Sequence, residues 1–216
     1  MGFSPPETAA PLPAVNGWEA LPFSFIHIPK CGGTSVSSAL GLQRNVHHTA
    51  AARRQLIGRD RWQALPSFSI VRNPFARVTS LYRYRAARNH PSLLGGRMGL
   101  NEWVRRGIWE RDPAVCTQLY SFLPCAAWLL DEQARIMVDL VIKLETIRQD
   151  WCKVEELVGM QIPCGHENAT RKDTATVEAA LDQESVEMIR ERFRADFVLF
   201  GYDPDNVQSA APAAKA

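Results

Sequence analysis

The sequence lacks the marks of a membrane, secreted or zinc-binding protein. It contains no apolar run near the length of a membrane span, and its start lacks a basic-then-apolar signal peptide. Its five cysteines include no Cys-x-x-Cys pair and no zinc-ligand spacing. An odd number of cysteines without such spacing indicates free thiols in a reducing compartment. Since no targeting signal is seen, the sequence predicts a soluble, cytoplasmic protein without stable membrane insertion.

Lysine is also scarce, with 5 lysines against 20 arginines. The planar guanidinium of arginine suits phosphate, sulfate and carboxylate groups. Residues 44 to 111 hold fourteen arginines and three acids, so this stretch carries +11 although the whole chain carries only +2. The asymmetry predicts a surface that faces an anion. The alternative is that most of these arginines only form a solvated helix face.

Length and composition fit one domain. The chain has 216 residues with 46% hydrophobic content, which is enough for a sizeable core. We predict that residues 21–205 form this domain. Residues 1–20 and 206–216 are rich in Pro and Ala, and we expect them to be flexible flanks.

An apolar stretch at residues 23–28 leads into a glycine-containing turn, Lys30-Cys-Gly-Gly-Thr-Ser35, and then into a predicted helix. Paired glycines let backbone N–H groups approach an anion, and a helix start adds a positive dipole end. An ATP or GTP P-loop places its lysine after the glycines. Here the lysine comes before them, so the turn predicts a phosphate cradle of a different kind.

A second apolar strand, residues 67–71, precedes Arg72-Asn-Pro74. Asn73 is a good N-cap and Pro74 suits the first helical position, so a helix is predicted from Pro74. Arg72 then leaves the strand end and Ser80 lies about two turns into the helix, where both could reach one anion. Four more arginines of this helix are candidates for the same site: Arg77, Arg83, Arg85 and Arg88.

Together these two segments resemble the signature of sulfotransferases that use 3′-phosphoadenosine 5′-phosphosulfate (PAPS), particularly Golgi-type carbohydrate O-sulfotransferases and their bacterial relatives. The resemblance implies that Arg72 and Ser80 bind the 3′-phosphate of PAPS. It implies that the first turn binds the 5′-phosphosulfate through Lys30, Cys31, Gly32, Gly33, Thr34 and Ser35. Cys31 departs from the family, which usually has threonine there.

Three later segments extend the resemblance. Residues 141–150 resemble the family's late strand and Glu-led turn, and residues 189–202 resemble its last helix with an Asp-Phe-x-x-Phe-Gly-Tyr ending. Residues 168–173 resemble its closing cofactor loop. That likeness implies that three residues close over the 3′-phosphate: Thr170, Arg171 and Lys172.

The predicted fold is a three-layer α/β/α domain, P-loop NTPase-like, with a central parallel sheet. Apolar runs predict strands at 23–28, 67–71 and 138–144 and a weaker one at 44–48. Helices are predicted at 34–41, 74–88, 99–106, 115–123, 147–158 and 183–197. Ligands of such sheets bind beyond the carboxyl ends of the strands, where both anion motifs fall.

Sulfuryl transfer requires a positive group at the bridging oxygen, donors around the sulfonate and a base for the acceptor proton. The resemblance implies PAPS as donor and PAP as product. Because a sulfuryl group carries less charge than a γ-phosphate, we expect no required metal. Lys30 is the candidate for the positive group.

The base is expected among the histidines or, failing them, at Glu102. His27 lies within an apolar strand, which predicts core packing. His47 and His48 end the weak predicted strand. The position of His48, twenty-four residues before Arg72, resembles that of the base in heparan-type 2-O-sulfotransferases, so His48 is the first candidate and His47 the second.

The resemblance favours a carbohydrate hydroxyl as acceptor, possibly an anionic one, while small alcohols, lipids and tyrosine-like acceptors stay open. Two rival classes are a P-loop kinase or ATPase and a non-catalytic polyanion-binding module. The kinase should place an acidic residue at a neighbouring strand end for magnesium, where this chain has Arg72. No nucleic-acid partner is predicted, and the oligomeric state stays open.

Overall fold

A three-stranded parallel sheet forms the centre of the computed structural model, which describes residues 18–40, 46–162, 164 and 181–207. The strands are β1 (Ser24–Ile26), β2 (Ser67–Val71) and β3 (Leu140–Lys143), hydrogen-bonded in the order β1-β2-β3. Phe25 lies opposite Phe68, and Ser69 lies opposite Val141. The strands predicted at 23–28, 67–71 and 138–144 are therefore confirmed, and their carboxyl ends share one edge.

Helices flank this sheet, as the predicted α/β class requires. In chain order they are α1 (Gly33–Ala39), α2 (Ala50–Ile57), α3 (Arg59–Ala64), α4 (Pro74–Ala86), α5 (Leu100–Trp103), α6 (Ala126–Leu129), α7 (Ile147–Val158), α8 (Gln183–Arg192) and α9 (Arg194–Phe200). A π-helical segment, Val104–Trp109, continues α5. Short 3-10 turns occur at Trp18–Ala20, Pro91–Leu93, Leu119–Phe122 and Leu144–Thr146.

Side-chain caps determine where two of the helices next to the sheet begin. The Asn73 side chain accepts hydrogen bonds from the backbone N–H groups of Phe75 (2.9 Å) and Ala76 (3.3 Å), which starts α4 where the sequence predicted it. Thr49 caps α2 in the same way, accepting from Ala52 N at 3.1 Å. Because each cap is local in sequence, the cap pattern could be read before the fold was known.

Three of the predicted elements differ from the structure. The helix predicted at 115–123 is wrong: Gln118 has a left-handed φ of 89°, and only a 3-10 turn follows it. The weak strand predicted at 44–48 is not formed at residues 46–48, while 44 and 45 lie outside the described residues. The helix predicted at 183–197 breaks at Phe193, whose side chain is buried, into α8 and α9.

The hydrophobic core consists of two clusters. The first joins the strands to α1, α6 and α7 through residues such as Phe68, Trp128 and Val154. The second joins α4 to α5, the π-helical segment, α8 and α9, with Phe75 and Trp103 among its buried members. Helix α4 thus packs in the second cluster. It begins shortly after β2, which belongs to the first cluster. In the ranges that the structure describes, no helix is long and apolar enough to cross a bilayer.

Candidate functional site

The turn after β1 is held in one shape by positive backbone φ angles and one close packing contact. Lys30 and Gly32 have positive φ values of 68° and 78°. A Cβ atom added at Gly33 would lie 2.7 Å from His27 Cγ and closer still to two other ring atoms. Gly33 is therefore required because the buried ring of His27 lies directly beneath it. The ring thereby supports the turn in which the sequence predicted a phosphate cradle.

The two anion motifs meet at one edge of the sheet. Arg72, the first residue after β2, donates from Nη1 to the carbonyl oxygen of Lys30 at 3.2 Å. Burial, followed by the positive charges of Arg72 and Arg88, lowers the pKa of Lys30 to about 8. Burial also lowers the pKa of Arg72. The strand ends thus concentrate cations, and an anion placed between them would relieve their repulsion.

Helix α4 adds further cations to this edge. The Tyr84 ring centroid lies 4.1 Å from Lys30 Nζ and 3.8 Å from Arg88 Cζ. Ser80 is half-buried one turn before Tyr84, on the same side of the helix. Arg83 is close enough to Arg72 for its charge to lower the pKa of Arg72. Among the described residues, no carboxylate forms an ion pair with any of four cations: Lys30, Arg72, Arg83 and Arg88.

Two of the α4 arginines have a structural role instead. Arg77 is buried and donates to the carbonyl oxygens of Pro29 (3.0 Å) and Leu123 (2.7 Å). Arg85 is also buried and donates to the Ser92 hydroxyl at 3.0 Å and to the Val115 carbonyl at 3.2 Å. Of the four arginine candidates, only Arg83 and Arg88 donate to no backbone carbonyl in the described structure.

The three histidines near the turn have different surroundings. His27 is buried, and burial and the charge of His47 lower its pKa to about 3, so it is neutral as core packing predicts. His47 is half-buried, and its Nδ1 lies 2.9 Å from the His27 carbonyl oxygen. A neutral His47 that donates from Nδ1 keeps Nε2 free as a proton acceptor.

His48 lies against a different set of side chains. Its ring meets the Trp18 ring edge-on at 5.5 Å, and Trp18 in turn stacks on the Arg53 guanidinium at 3.5 Å. Burial and the charge of Arg53 lower the pKa of His48. Its Nδ1 is buried and has no hydrogen-bond partner among the described residues. His47, rather than His48, is therefore the histidine whose ring orientation is fixed next to His27, which supports the turn after β1.

Aromatic residues surround His47. The Tyr120 ring is nearly parallel to the His47 ring at 6.0 Å, and Tyr120 is 42% exposed. Leu119 next to it is 67% exposed. Trp128 is buried and meets both rings edge-on. The histidine is thus bordered by an exposed aromatic ring, which the sequence did not single out.

The two carboxylates that the sequence singled out differ in role. Glu102 is exposed on α5 and pairs with Arg106 at 3.4 Å, one helical turn away. Glu145, after β3, accepts from Asn73 N (2.8 Å) through one oxygen and from the Tyr202 hydroxyl (3.0 Å) through the other. Glu145 therefore anchors the turn after its strand and ties the chain end to the start of α4.

A buried aspartate explains part of the C-terminal motif. Asp196 is fully buried, and its carboxylate accepts from Cys125 N at 2.8 Å and Ala126 N at 2.7 Å. Burial, opposed by these N–H groups and Arg77, raises its pKa. The Asp-Phe-x-x-Phe-Gly-Tyr motif was the only feature of the sequence that indicated this role. The aspartate holds the start of α6 beside the turn after β1.

Cys31 lies within the turn but beneath its surface. Its side chain is 1% exposed, and Sγ lies 3.8 Å from Cys125 Sγ. Its hydrogen bond to Cys125 and the charges of Arg77 and Arg72 outweigh burial and lower its pKa. Gly32 and Ser35 are partly accessible and Thr34 is exposed. The remaining predicted cofactor residues lie outside the described residues: Thr170, Arg171 and Lys172.

A comparison with known families identifies the family of this chain. The model of the sulfotransferase family matches residues 19–203, which include the turn after β1, Arg72 and α4, and the C-terminal motif. No curated protein and no solved structure matches the chain. The match spans most of the sequence, so the chain belongs to the sulfotransferase family, whose members transfer sulfuryl groups.

Proposed function

We propose that this protein transfers the sulfuryl group of PAPS to an acceptor hydroxyl and releases PAP. The observation that carries the proposal is the hydrogen bond from Arg72 to the Lys30 carbonyl, since it brings the two anion motifs to one edge of the sheet. The donor set fits a ligand with two separate anionic groups: cations and a hydroxyl from α4 on one side, and the glycine turn on the other.

PAPS would supply the sulfuryl group, and its two phosphorylated arms would bind to different parts of the chain. Arg72 and Ser80 would hold the 3′-phosphate, with Thr170, Arg171 and Lys172 as further candidates. The N–H groups of Gly32, Gly33 and Thr34 and the Ser35 hydroxyl would donate to the sulfonate, since the Ser35 N–H already donates to the Gly32 carbonyl. The Lys30 ammonium group would stabilise the negative charge that develops at the bridging oxygen as the S–O bond breaks.

We propose His47 as the general base. Its Nδ1 contact with the His27 carbonyl supports a tautomer in which Nε2 accepts the proton of the acceptor hydroxyl. The sequence favoured His48, but the Trp18 and Arg53 contacts direct that ring into another cluster. Glu102 is the weaker carboxylate alternative, since it is already paired with Arg106.

Carbohydrate is the acceptor class we favour. The exposed Tyr120 ring beside His47 offers a flat apolar surface on which the C–H face of a sugar could stack. Arg83 would suit an acidic sugar. A kinase is less well supported, because Arg72 follows β2 and Lys143 ends β3, and neither strand end carries a free carboxylate. Glu145, close after β3, is occupied by Asn73 and Tyr202.

The first test is isothermal titration with PAP, PAPS and ATP, each with and without magnesium. We expect PAP and PAPS to bind without magnesium and ATP to bind more weakly. Magnesium-dependent ATP binding with no PAP binding would support the kinase instead. Equal, weak binding of all three would support a polyanion-binding module.

The second test is an acceptor screen with radiolabelled sulfate from PAPS, using His47→Ala and His48→Ala as a matched pair. Loss of a general base typically costs about 10²–10⁴-fold in rate. We expect that loss for His47→Ala, with PAP affinity retained, and a smaller effect for His48→Ala. The reverse order would assign the base to His48.

A further inference from the structure

The Tyr84 ring brings together two cations that would otherwise repel each other. Lys30 Nζ lies 4.1 Å from its centroid and Arg88 Cζ lies 3.8 Å from it. Ammonium and guanidinium groups at such distances are attracted to the electron-rich ring face. Tyr84 is 43% exposed, so its ring is not simply core filling.

These contacts join two separate parts of the site. Lys30 belongs to the turn after β1, whereas Tyr84 and Arg88 belong to α4 and the residues just after it. The Arg72 bond to the Lys30 carbonyl joins the same two parts through the backbone. The Tyr84 hydroxyl has no hydrogen-bond partner among the described residues, so its ring makes the contacts that matter here.

We propose that Tyr84 is a positioning residue for sulfuryl transfer, whose ring holds the Lys30 ammonium and the Arg88 guanidinium together against the 5′ arm of the nucleotide. This inference rests on the proposed function. A lysine side chain has four flexible bonds, and the ring restricts where its charge can lie. Arg88 becomes a further binding residue on the side of the site that carries the sulfonate, which the family resemblance did not assign.

The test compares two nucleotides that differ only at the 5′ arm. PAP carries phosphates at the 3′ and 5′ positions, whereas adenosine 3′-monophosphate lacks the 5′-phosphate. Their dissociation constants are measured by titration calorimetry at one fixed salt concentration. The variants are Tyr84→Leu, which removes the ring, Tyr84→Phe, which keeps it, and Arg88→Gln. Arg59→Gln, on exposed α3, is the matched control for loss of one arginine charge.

Tyr84→Leu and Arg88→Gln should each weaken PAP binding by about 3- to 10-fold, the range expected for a partly exposed cation–π contact. Adenosine 3′-monophosphate binding should change by less than about twofold in both. Tyr84→Phe should restore PAP affinity to within about twofold of the wild type, because the ring is retained. Arg59→Gln should change neither constant.

Three results would overturn the inference. The first is an equal loss of affinity for both nucleotides. The second is a loss of PAP affinity in Tyr84→Phe as large as that in Tyr84→Leu. The third is unchanged PAP affinity in both Tyr84→Leu and Arg88→Gln. If Tyr84→Leu does not fold, the exposed Arg88→Gln variant decides the question alone. A wild-type protein that binds no PAP would contradict the proposed function itself, whereas wild-type binding that Tyr84→Leu leaves unchanged contradicts only the role of Tyr84.

Discussion

Replacing Gly33 by alanine should destabilise the protein although alanine is the better helix former. Gly33 begins α1 with a φ that alanine can adopt, so backbone strain does not oppose the change. The obstacle is the buried His27 ring, because the new Cβ would lie 2.7 Å from its Cγ and closer to two other ring atoms. The ring cannot easily give way, since His47 lies 4.4 Å from it between ring centroids.

The expected magnitude follows from two opposing contributions. Overpacking of a well-packed core costs about 1–3 kcal/mol. The lower chain entropy of alanine in the unfolded state returns about 0.4–1 kcal/mol. We therefore expect Gly33→Ala to lower the free energy of unfolding by about 1–2 kcal/mol, and to weaken PAP binding because the turn must shift.

Urea unfolding of four proteins checks this: wild type, Gly33→Ala, His27→Ala and the double variant. Without the imidazole the alanine has space, so the penalty of Gly33→Ala should largely disappear in the His27→Ala background. Gly99→Ala is the matched control, because a Cβ there meets nothing within 4 Å. A Gly33→Ala protein as stable as the wild type, or one with the same penalty in both backgrounds, would refute the packing argument.

Two further predictions concern Lys30 and Cys31. Because Lys30 has a pKa of about 8, its charge is present below that pH and lost above it, so PAP affinity should fall between pH 7 and 9. Calorimetry in buffers of different ionisation enthalpy should detect proton uptake on binding near pH 8, and Lys30→Met should remove it. Iodoacetamide should label the exposed Cys152 much faster than Cys31, which is 1% exposed. Peptide mass spectrometry of a timed reaction measures both rates, and fast labelling of Cys31 that PAP prevents would show that the turn opens.

The parts of the fold that the sequence predicted are those with local causes. Apolar runs indicated β1, β2 and β3, and the Asn73-Pro74 pair indicated the start of α4. The helix predicted at 115–123 failed for a non-local reason. The carbonyl oxygen of Val115, which a helix would pair with the N–H of residue 119, accepts instead from Arg85, which is 30 residues away in sequence. No pattern within residues 115–123 encodes that contact.

The candidate site divides in the same way. Arg72 and Ser80 could be placed from strand and helix periodicity, because both depend only on β2 and α4. The choice between His47 and His48 could not, since the two are adjacent in a segment without regular structure. The surroundings of His47 depend on the His27 carbonyl, and those of His48 depend on Trp18. The sequence did not indicate Tyr84, because its cation partner Lys30 lies in a turn far away in sequence and no pattern within α4 indicates that contact.

Arg77 connects the two sides of the proposed reaction. From inside α4 its guanidinium donates to the carbonyl of Pro29, directly before Lys30, and to that of Leu123, three residues after Tyr120. The turn after β1 and the segment that carries the exposed ring beside His47 are therefore fixed by one buried cation. Removing it would leave the half-buried Leu123 carbonyl without its arginine donor and the buried Pro29 carbonyl with only the weak Cys31 thiol donor, at a cost of about 1–3 kcal/mol. Donor and acceptor sides thus cannot shift independently, which is what in-line transfer between them requires.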